Sequence, residues 1–264
     1  MISAIFFPFT LPFKLYMIGE TRIVAIFVSF LTRVHCLRIE GYSLKYAVYS
    51  EKVNSTNFKA AIFDYGGVMA KSPLGRVEML ADHFGAGKEM IMGLILGHDS
   101  GDDNPWFDAE CGRQPLNEDF GQRMQKIFDS HNLSFDLDYF QRWVADAVNE
   151  PDRTMERIVN QLKETGIKVG LLTNSVPEFW PVIEQTINTK SFDCIVDSSR
   201  VGIRKPDEWI YKLTARKLGT QTNSCVMIDD LDHNIKGAEQ AGMAGILFTS
   251  AEETEYAIKR FFDI

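Results

Sequence analysis

Positive charge is what this chain of 264 residues has too little of: 28 Lys and Arg stand against 36 Asp and Glu, a formal net charge of -8. Nucleic-acid binders draw most of their affinity from cations set against backbone phosphates, so this balance argues against a nucleic-acid partner, and any phosphate recognition has to be local. Cysteines are few and widely separated, at Cys36, Cys111, Cys194 and Cys225. No two have zinc-ligand spacing, and the five histidines include no i, i+4 pair. Cys194 and Cys225 lie in apolar runs, where a reduced thiol acts as a small hydrophobe, so a reducing, cytoplasmic compartment is expected. Long apolar runs are also missing. The longest, Ile23 to Leu31, is too short for a membrane helix, and the stretch before it is broken by Pro8, Pro12, Lys14 and Glu20. No spanning membrane segment is expected, and there is no internal repeat or low-complexity tract.

What is present is ordinary globular material, 45% hydrophobic and 24% charged, enough for one large domain or two small ones. Residues 1–57 differ from the rest in carrying Lys14, Arg22, Arg33, Arg38, Lys45 and Lys52 against Glu20, Glu40 and Glu51. They read as an N-terminal extension of unknown role, with an organelle-targeting, mitochondrial leader as the alternative; Met1 to Phe13 carries no charge, unlike a secretory signal. From Phe58 onward short apolar runs alternate with helical segments. Strands are expected at Ala60-Phe63, Lys168-Leu172, Cys194-Val196, Cys225-Ile228 and Gly245-Phe248, and helices at Thr154-Lys163, Pro206-Lys217 and Asn234-Gln240. This is the pattern of an α/β fold, a Rossmann-like doubly wound parallel sheet. Between the first two strands the rhythm breaks into helical segments at Arg76-Phe84, Lys88-Leu96, Asn117-Phe128 and Leu137-Val148, with a polar loop at His98-Asn104. The expected division is a core of residues 58–70 and 153–264, with residues 71–152 a helical cap that can act as a lid. Sequons at Asn54 and Asn132 read as chance matches, and the acids of Asp99 to Asp103 as a solvated loop rather than a calcium site.

The residues able to do chemistry sit where strands end. The first strand stops on Asp64, with Gly66 and Gly67 just beyond. A carboxylate there lies in the crevice where open α/β sheets bind ligands, and the glycines allow a sharp turn and close backbone approach, although ordinary turn chemistry uses the same residues. The second strand ends on Thr173-Asn174, a hydroxyl and a neighbouring backbone N–H that can hold a phosphoryl oxygen or cap the next helix. In Val201-Gly202-Ile203-Arg204-Lys205-Pro206, proline is expected to start a helix with Lys205 just ahead of it, an ammonium group at a helix N-terminus that would attract an anion. Val226-Met227-Ile228 runs into Asp229-Asp230, followed by Asn234. Adjacent carboxylates repel unless a cation lies among them, and an oxygen-rich site of this kind suits Mg²⁺.

Asp64, Thr173-Asn174, Lys205 and Asp229-Asp230, taken in order, resemble the four motifs of the haloacid dehalogenase (HAD) superfamily, over Phe58 to Ile264. The stretches Asp197 to Pro206 and Ile228 to Asn234 are similar to the subgroup of sugar-1-phosphate phosphatases and the N-terminal phosphatase domain of soluble epoxide hydrolase, which carries a helical cap between its first two motifs. The resemblance implies a Mg²⁺-dependent phosphatase acting on a small phosphorylated metabolite. In it Asp64 would attack phosphorus and form an aspartyl-phosphate. Thr173 and Asn174 would hold phosphoryl oxygens, and Lys205 would offset charge on the nucleophile and the transferring group. Asp64, the carbonyl of Gly66 and Asp230 would hold Mg²⁺, with Asp229 in the metal group and, together with Asn234, steadying the loop. From the cap, Trp106, Phe107, Glu110 and Arg113 could touch the leaving group, or the aromatics could form the cap's own core.

One position departs from the pattern. Most phosphatases of the superfamily carry a second aspartate two residues after the nucleophile, which protonates the leaving oxygen and later activates water; here that residue is Gly66. Such proton transfer is typically worth about 10²- to 10⁴-fold, so a weak enzyme is expected on alkyl phosphates, with substrates whose leaving group needs little protonation affected least. Two other readings stay open: a non-catalytic HAD-fold binding protein, and a 2-haloacid dehalogenase, whose halide leaves without a proton and whose site uses no metal.

Overall fold

The computed structural model describes residues 13–17, 23–27, 58–72, 76–96, 104–147 and 150–264. The chain forms two compact units, Met1–Asn54 and Ser55–Ile264. In the first, strands β1 (Phe13–Met17) and β2 (Ile23–Phe27) pair antiparallel, Phe13 opposite Phe27. The β-branched residues of Ile23–Phe27 suit a strand, and no helix among the described residues is long and apolar enough to cross a membrane. Cys36, the sequon at Asn54 and the acids of Asp99 to Asp103 lie outside the described residues.

In the second unit β3 (Ala60–Phe63), β4 (Lys168–Thr173), β5 (Cys194–Asp197), β6 (Cys225–Asp229) and β7 (Ala244–Leu247) form one parallel sheet in the order β5-β4-β3-β6-β7. The alternation of the strand explains its composition. Ala61 and Phe63 enter one apolar cluster and Ala60 and Ile62 another, so β3 is buried on both faces and reads as a continuous apolar run. Chain order enters at the centre: β3 pairs with both β4 and β6, Phe63 beside Leu171 on one side and Ile228 on the other. The strand ends following Phe63, Leu172 and Ile228 are therefore brought to one edge.

Among the described residues, five helices intervene between β3 and the first crossover helix: α1 (Val77–Phe84), α2 (Lys88–Leu96), α3 (Pro105–Glu110), α4 (Glu118–Asp129) and α5 (Leu137–Ala147). Their shared interior is aromatic, with Phe84, Phe120, Phe128, Phe135 and Phe140 in mutual ring contact. The chain leaves and re-enters the core side by side, since Lys71 N donates to Glu150 O and Asp152 N to Met69 O. The crossover helix α6 (Arg153–Glu164) buries Met155, Ile158, Val159 and Leu162 and is capped by Asp152, whose side chain accepts from the Thr154 and Met155 N–H groups. After β4 comes α7 (Trp180–Thr186), then α8 (Ser198–Val201), α9 (Glu208–Lys217), α10 (Asp232–Gln240) and α11 (Ala251–Phe262).

Several expectations need correction. Helix α9 begins at Glu208, two residues later than expected, because Asp207 is its N-cap and accepts from Trp209 N–H; Pro206 stays outside the helix, joined to Lys205 by a cis peptide. Helix α3 was not foreseen, although Asn104-Pro105 begins it, the Asn104 side chain accepting from Trp106 N–H. Helices α7 and α11 were likewise missed. The last strand is shifted by one residue, from Gly245-Phe248 to Ala244–Leu247.

Candidate active site

The crevice beyond the sheet's C-terminal edge gathers the residues singled out from sequence. Asp64 follows β3, its backbone N–H held by Ile228 O of the neighbouring strand at 2.9 Å. Asp229 closes β6 with Asp230 next to it, and oxygens of Asp64, Asp229 and Asp230 all lie within 4.8 Å of one another. Between them stands Lys205, with no solvent exposure, its Nζ 2.8 Å from Asp64 Oδ1 and 2.6 Å from Asp229 Oδ2. The expected ammonium at a helix N-terminus is therefore absent: the Lys205 side chain turns into the carboxylates instead of fronting α9.

Each of these side chains is oriented by local structure. Asn174 Oδ1 accepts from Lys205 N–H at 2.8 Å and its Nδ2 donates to Lys205 O at 3.0 Å, so the amide clamps the backbone of the lysine. Asp229 Oδ1 accepts from Leu231 N–H at 2.9 Å and from Asn234 Nδ2 at 3.0 Å. The Tyr211 hydroxyl in turn holds Asn234 O at 2.7 Å. The turn after Asp64 requires glycine at position 67, where φ is +89° and a Cβ would come 2.1 Å from Asp230 Oδ2. Thr173 is buried at the end of β4, its hydroxyl making only a long 3.4 Å bond to Asn174 O.

The electrostatics follow from crowding acids around one buried cation. Burial would pull the Lys205 pKa down, but Asp229 and Asp64 outweigh it and hold the ammonium above its ordinary value. Burial pushes the Asp64 carboxyl up; Lys205 draws it back, and Asp229 and Asp230 push it up again, leaving it above its ordinary value. Asp230, raised first by burial and then by Asp229, reaches about 6. Three carboxyl groups against one ammonium lack positive charge, and an all-oxygen donor set beside a turn too tight for a Cβ fits a hard divalent cation.

The helical insertion meets the crevice through α3. Glu110, buried, accepts from Arg204 Nε at 2.6 Å, and the Arg204 guanidinium carbon lies 3.9 Å from the centre of the Phe107 ring. Trp106 packs edge-on to Phe140 in the insertion's own core, and Arg113 turns outward to Asp108. Two further ties join insertion and core: Leu116 N–H donates to Glu178 Oε1 at 2.9 Å, and Gly112 passes so near that a Cβ would lie 2.1 Å from Ser199 O. The contacts of Arg204 and Tyr211 were not foreseen. Arg204 lies in the Val201 to Pro206 stretch, where nothing local signals a partner as distant in sequence as Glu110.

With this geometry in place, the relationships of the chain are plain. Residues 58–242 match the haloacid dehalogenase-like hydrolase family, to which the chain belongs. Acyl-CoA dehydrogenase family member 10 of Mus musculus is 30% identical over 215 residues, 77% of this chain; the chain spans only 19% of that longer protein. Sesquiterpene phosphatase astK of Aspergillus oryzae is 26% identical, covering 75% of this chain and 94% of its own length. A HAD family enzyme of Bacteroides thetaiotaomicron, solved as a magnesium complex, shares the fold with a TM-score of 0.56 at 15% identity, across 77% of this chain and all of its own.

Proposed function

We propose that this hydrolase removes the phosphoryl group of a small phosphorylated metabolite, with Asp64 as nucleophile and Mg²⁺ as cofactor. The observation that carries the reading is the meeting of Asp64, Asp229 and Asp230 around a fully buried ammonium at the ends of adjacent strands. Asp64, the Gly66 carbonyl and Asp230 would hold the ion, which when bound polarises phosphoryl oxygens as a Lewis acid. Asp229 has both oxygens engaged by protein donors, so its part is to orient Lys205 and the loop. Lys205 offsets charge as Asp64 attacks, and its geometry costs nothing to assemble because both carboxylates already hold it. The Thr173 hydroxyl and the Asn174 backbone N–H receive phosphoryl oxygens, while the Asn174 side chain is committed to Lys205. Residues 71–152 act as the cap that shields this chemistry from water.

A metal-free dehalogenase would have to keep the same three acids crowded around the single Lys205 ammonium, which the raised Asp64 and Asp230 oppose. Similarity to a phosphatase along nearly its whole length favours the same choice. The binder reading draws on Gly66 alone. Turnover of a phosphate-ester and anhydride panel is expected in Mg²⁺, falling to background with EDTA and in Asp64→Asn; metal-independent turnover, or none with any substrate, rejects the proposal.

A further inference from the structure

Arg204 is the chain neighbour of Lys205, yet its side chain is turned to the insertion. Glu110 fixes its Nε edge at 2.6 Å, and Phe107 covers one face of the guanidinium at 3.9 Å. An arginine so held has lost most of its rotamer freedom before any ligand arrives. Among the described residues no acceptor meets Nη1 or Nη2, and 21% of the side chain remains open to solvent. The same guanidinium lies within electrostatic reach of Tyr211 and His233, both of which also feel Lys205 and Asp229. As chain neighbour of the Lys205 that Asp64 and Asp229 hold, and as partner of Glu110 and Phe107 on α3, Arg204 stands where the insertion meets the crevice, the side from which a leaving group would depart.

Gly66 supplies the second half of the inference. With no carboxyl group at this position to protonate a departing oxygen, an alkoxide is a poor leaving group here. A phosphate or a carboxylate departs as a stable anion without a proton, and its paired oxygens match a guanidinium fork. We propose that the protein hydrolyses phosphoric anhydrides, a phosphoryl group joined to a second phosphate or to a carboxylate, with Arg204 receiving the departing oxyanion. The proposal rests on the phosphatase reading above. An Asp64 Oδ attacks phosphorus, the bond from phosphorus to the bridging oxygen breaks, and its electron pair stays on that oxygen. The leaving group departs unprotonated against Nη1 and Nη2 of Arg204. Water then attacks the aspartyl-phosphate at phosphorus and the P–Oδ bond breaks. Asp64 returns as a carboxylate, one water proton stays on inorganic phosphate and the other goes to solvent.

Acetyl phosphate, pyrophosphate and glycerol 3-phosphate, each assayed in Mg²⁺ with the full chain, test this. The kcat/KM for at least one anhydride is expected to exceed that for the ester by about 10²-fold or more. Which anhydride is preferred identifies the leaving oxyanion. Arg204→Gln should lower kcat on that anhydride by about 10²-fold and on the ester by far less, and Arg204→Lys, which keeps the charge without the fork, should recover part of the loss. Equal or better turnover of the ester, or the same proportional loss on both substrate classes, overturns the proposal; if Arg204→Gln does not fold, the substrate comparison in the unaltered chain and in Arg204→Lys decides. Mass spectrometry of Asp64 after rapid quench separates the two levels. No phospho-adduct with any substrate defeats the phosphatase reading and the proposal with it, whereas an adduct formed as fast from the ester as from the anhydrides defeats the proposal alone.

Discussion

Asp230 shows how one residue can be costly to the fold and, under the proposed function, useful to the site. Burial and the adjoining Asp229 raise its carboxyl to about 6, against about 3.9 in an unfolded chain. Between those values the folded protein binds more protons than the unfolded one, so this group's contribution to stability falls as pH rises from about 4 to 6. A divalent cation reverses the sign, because the ion favours the deprotonated form. In EDTA at neutral pH, Asp230→Asn is therefore expected to be more stable than the natural chain by about 1–2 kcal/mol, the difference fading toward pH 4. Urea melts at the two pH values measure it. Over the same window Mg²⁺ affinity of the natural chain should rise with pH, as calorimetric titration would read; an affinity independent of pH would remove Asp230 from the ligand set.

Elements place these residues, and their ends were less legible than their cores. The strand ends were readable because β3 and β6 are buried on both faces, so each run is apolar without a break until it meets a buried acid, Asp64 or Asp229. Helix α6 was readable from its buried stripe, Met155, Ile158, Val159 and Leu162. Its start depends on Asp152, which satisfies two otherwise unpaired N–H groups and also lies where the chain re-enters the core. Asp152→Ala should cost about 1 kcal/mol in chemical denaturation with an unchanged m-value; no loss would show that solvent caps the helix equally well. At α9 two start signals competed, proline as first helical residue and aspartate as cap, and the Asp207 bond to Trp209 N–H prevailed. Helix α3 is too short to display a period, so only its Asn104-Pro105 opening marked it.

At the scale of the molecule the site is a local excess of negative charge buried at the edge of a sheet, and a ligand that binds only the folded form must stabilise the whole. Mg²⁺ at about one hundred times its Kd should add about 2.7 kcal/mol to unfolding free energy, read as a rise in Tm over an EDTA sample, with Asp64→Asn showing a smaller rise. A Tm indifferent to the ion would speak against a metal centre here.

The sequence by itself determined the five strands of the sheet and the longer helices between them, the acid, hydroxyl and lysine near the strand ends, and the absence of a carboxyl group at position 66, because apolar periodicity and chain-local signals mark where such elements stop. Only the tertiary structure decided that Asp64 and Asp230 stand close enough to share an ion, that Lys205 points into the carboxylates, and that Arg204 reaches Glu110 across the insertion. Those meetings depend on strand order, register and the packing of α3 against the crevice, which arise from contacts between distant segments and leave no periodic trace in the chain.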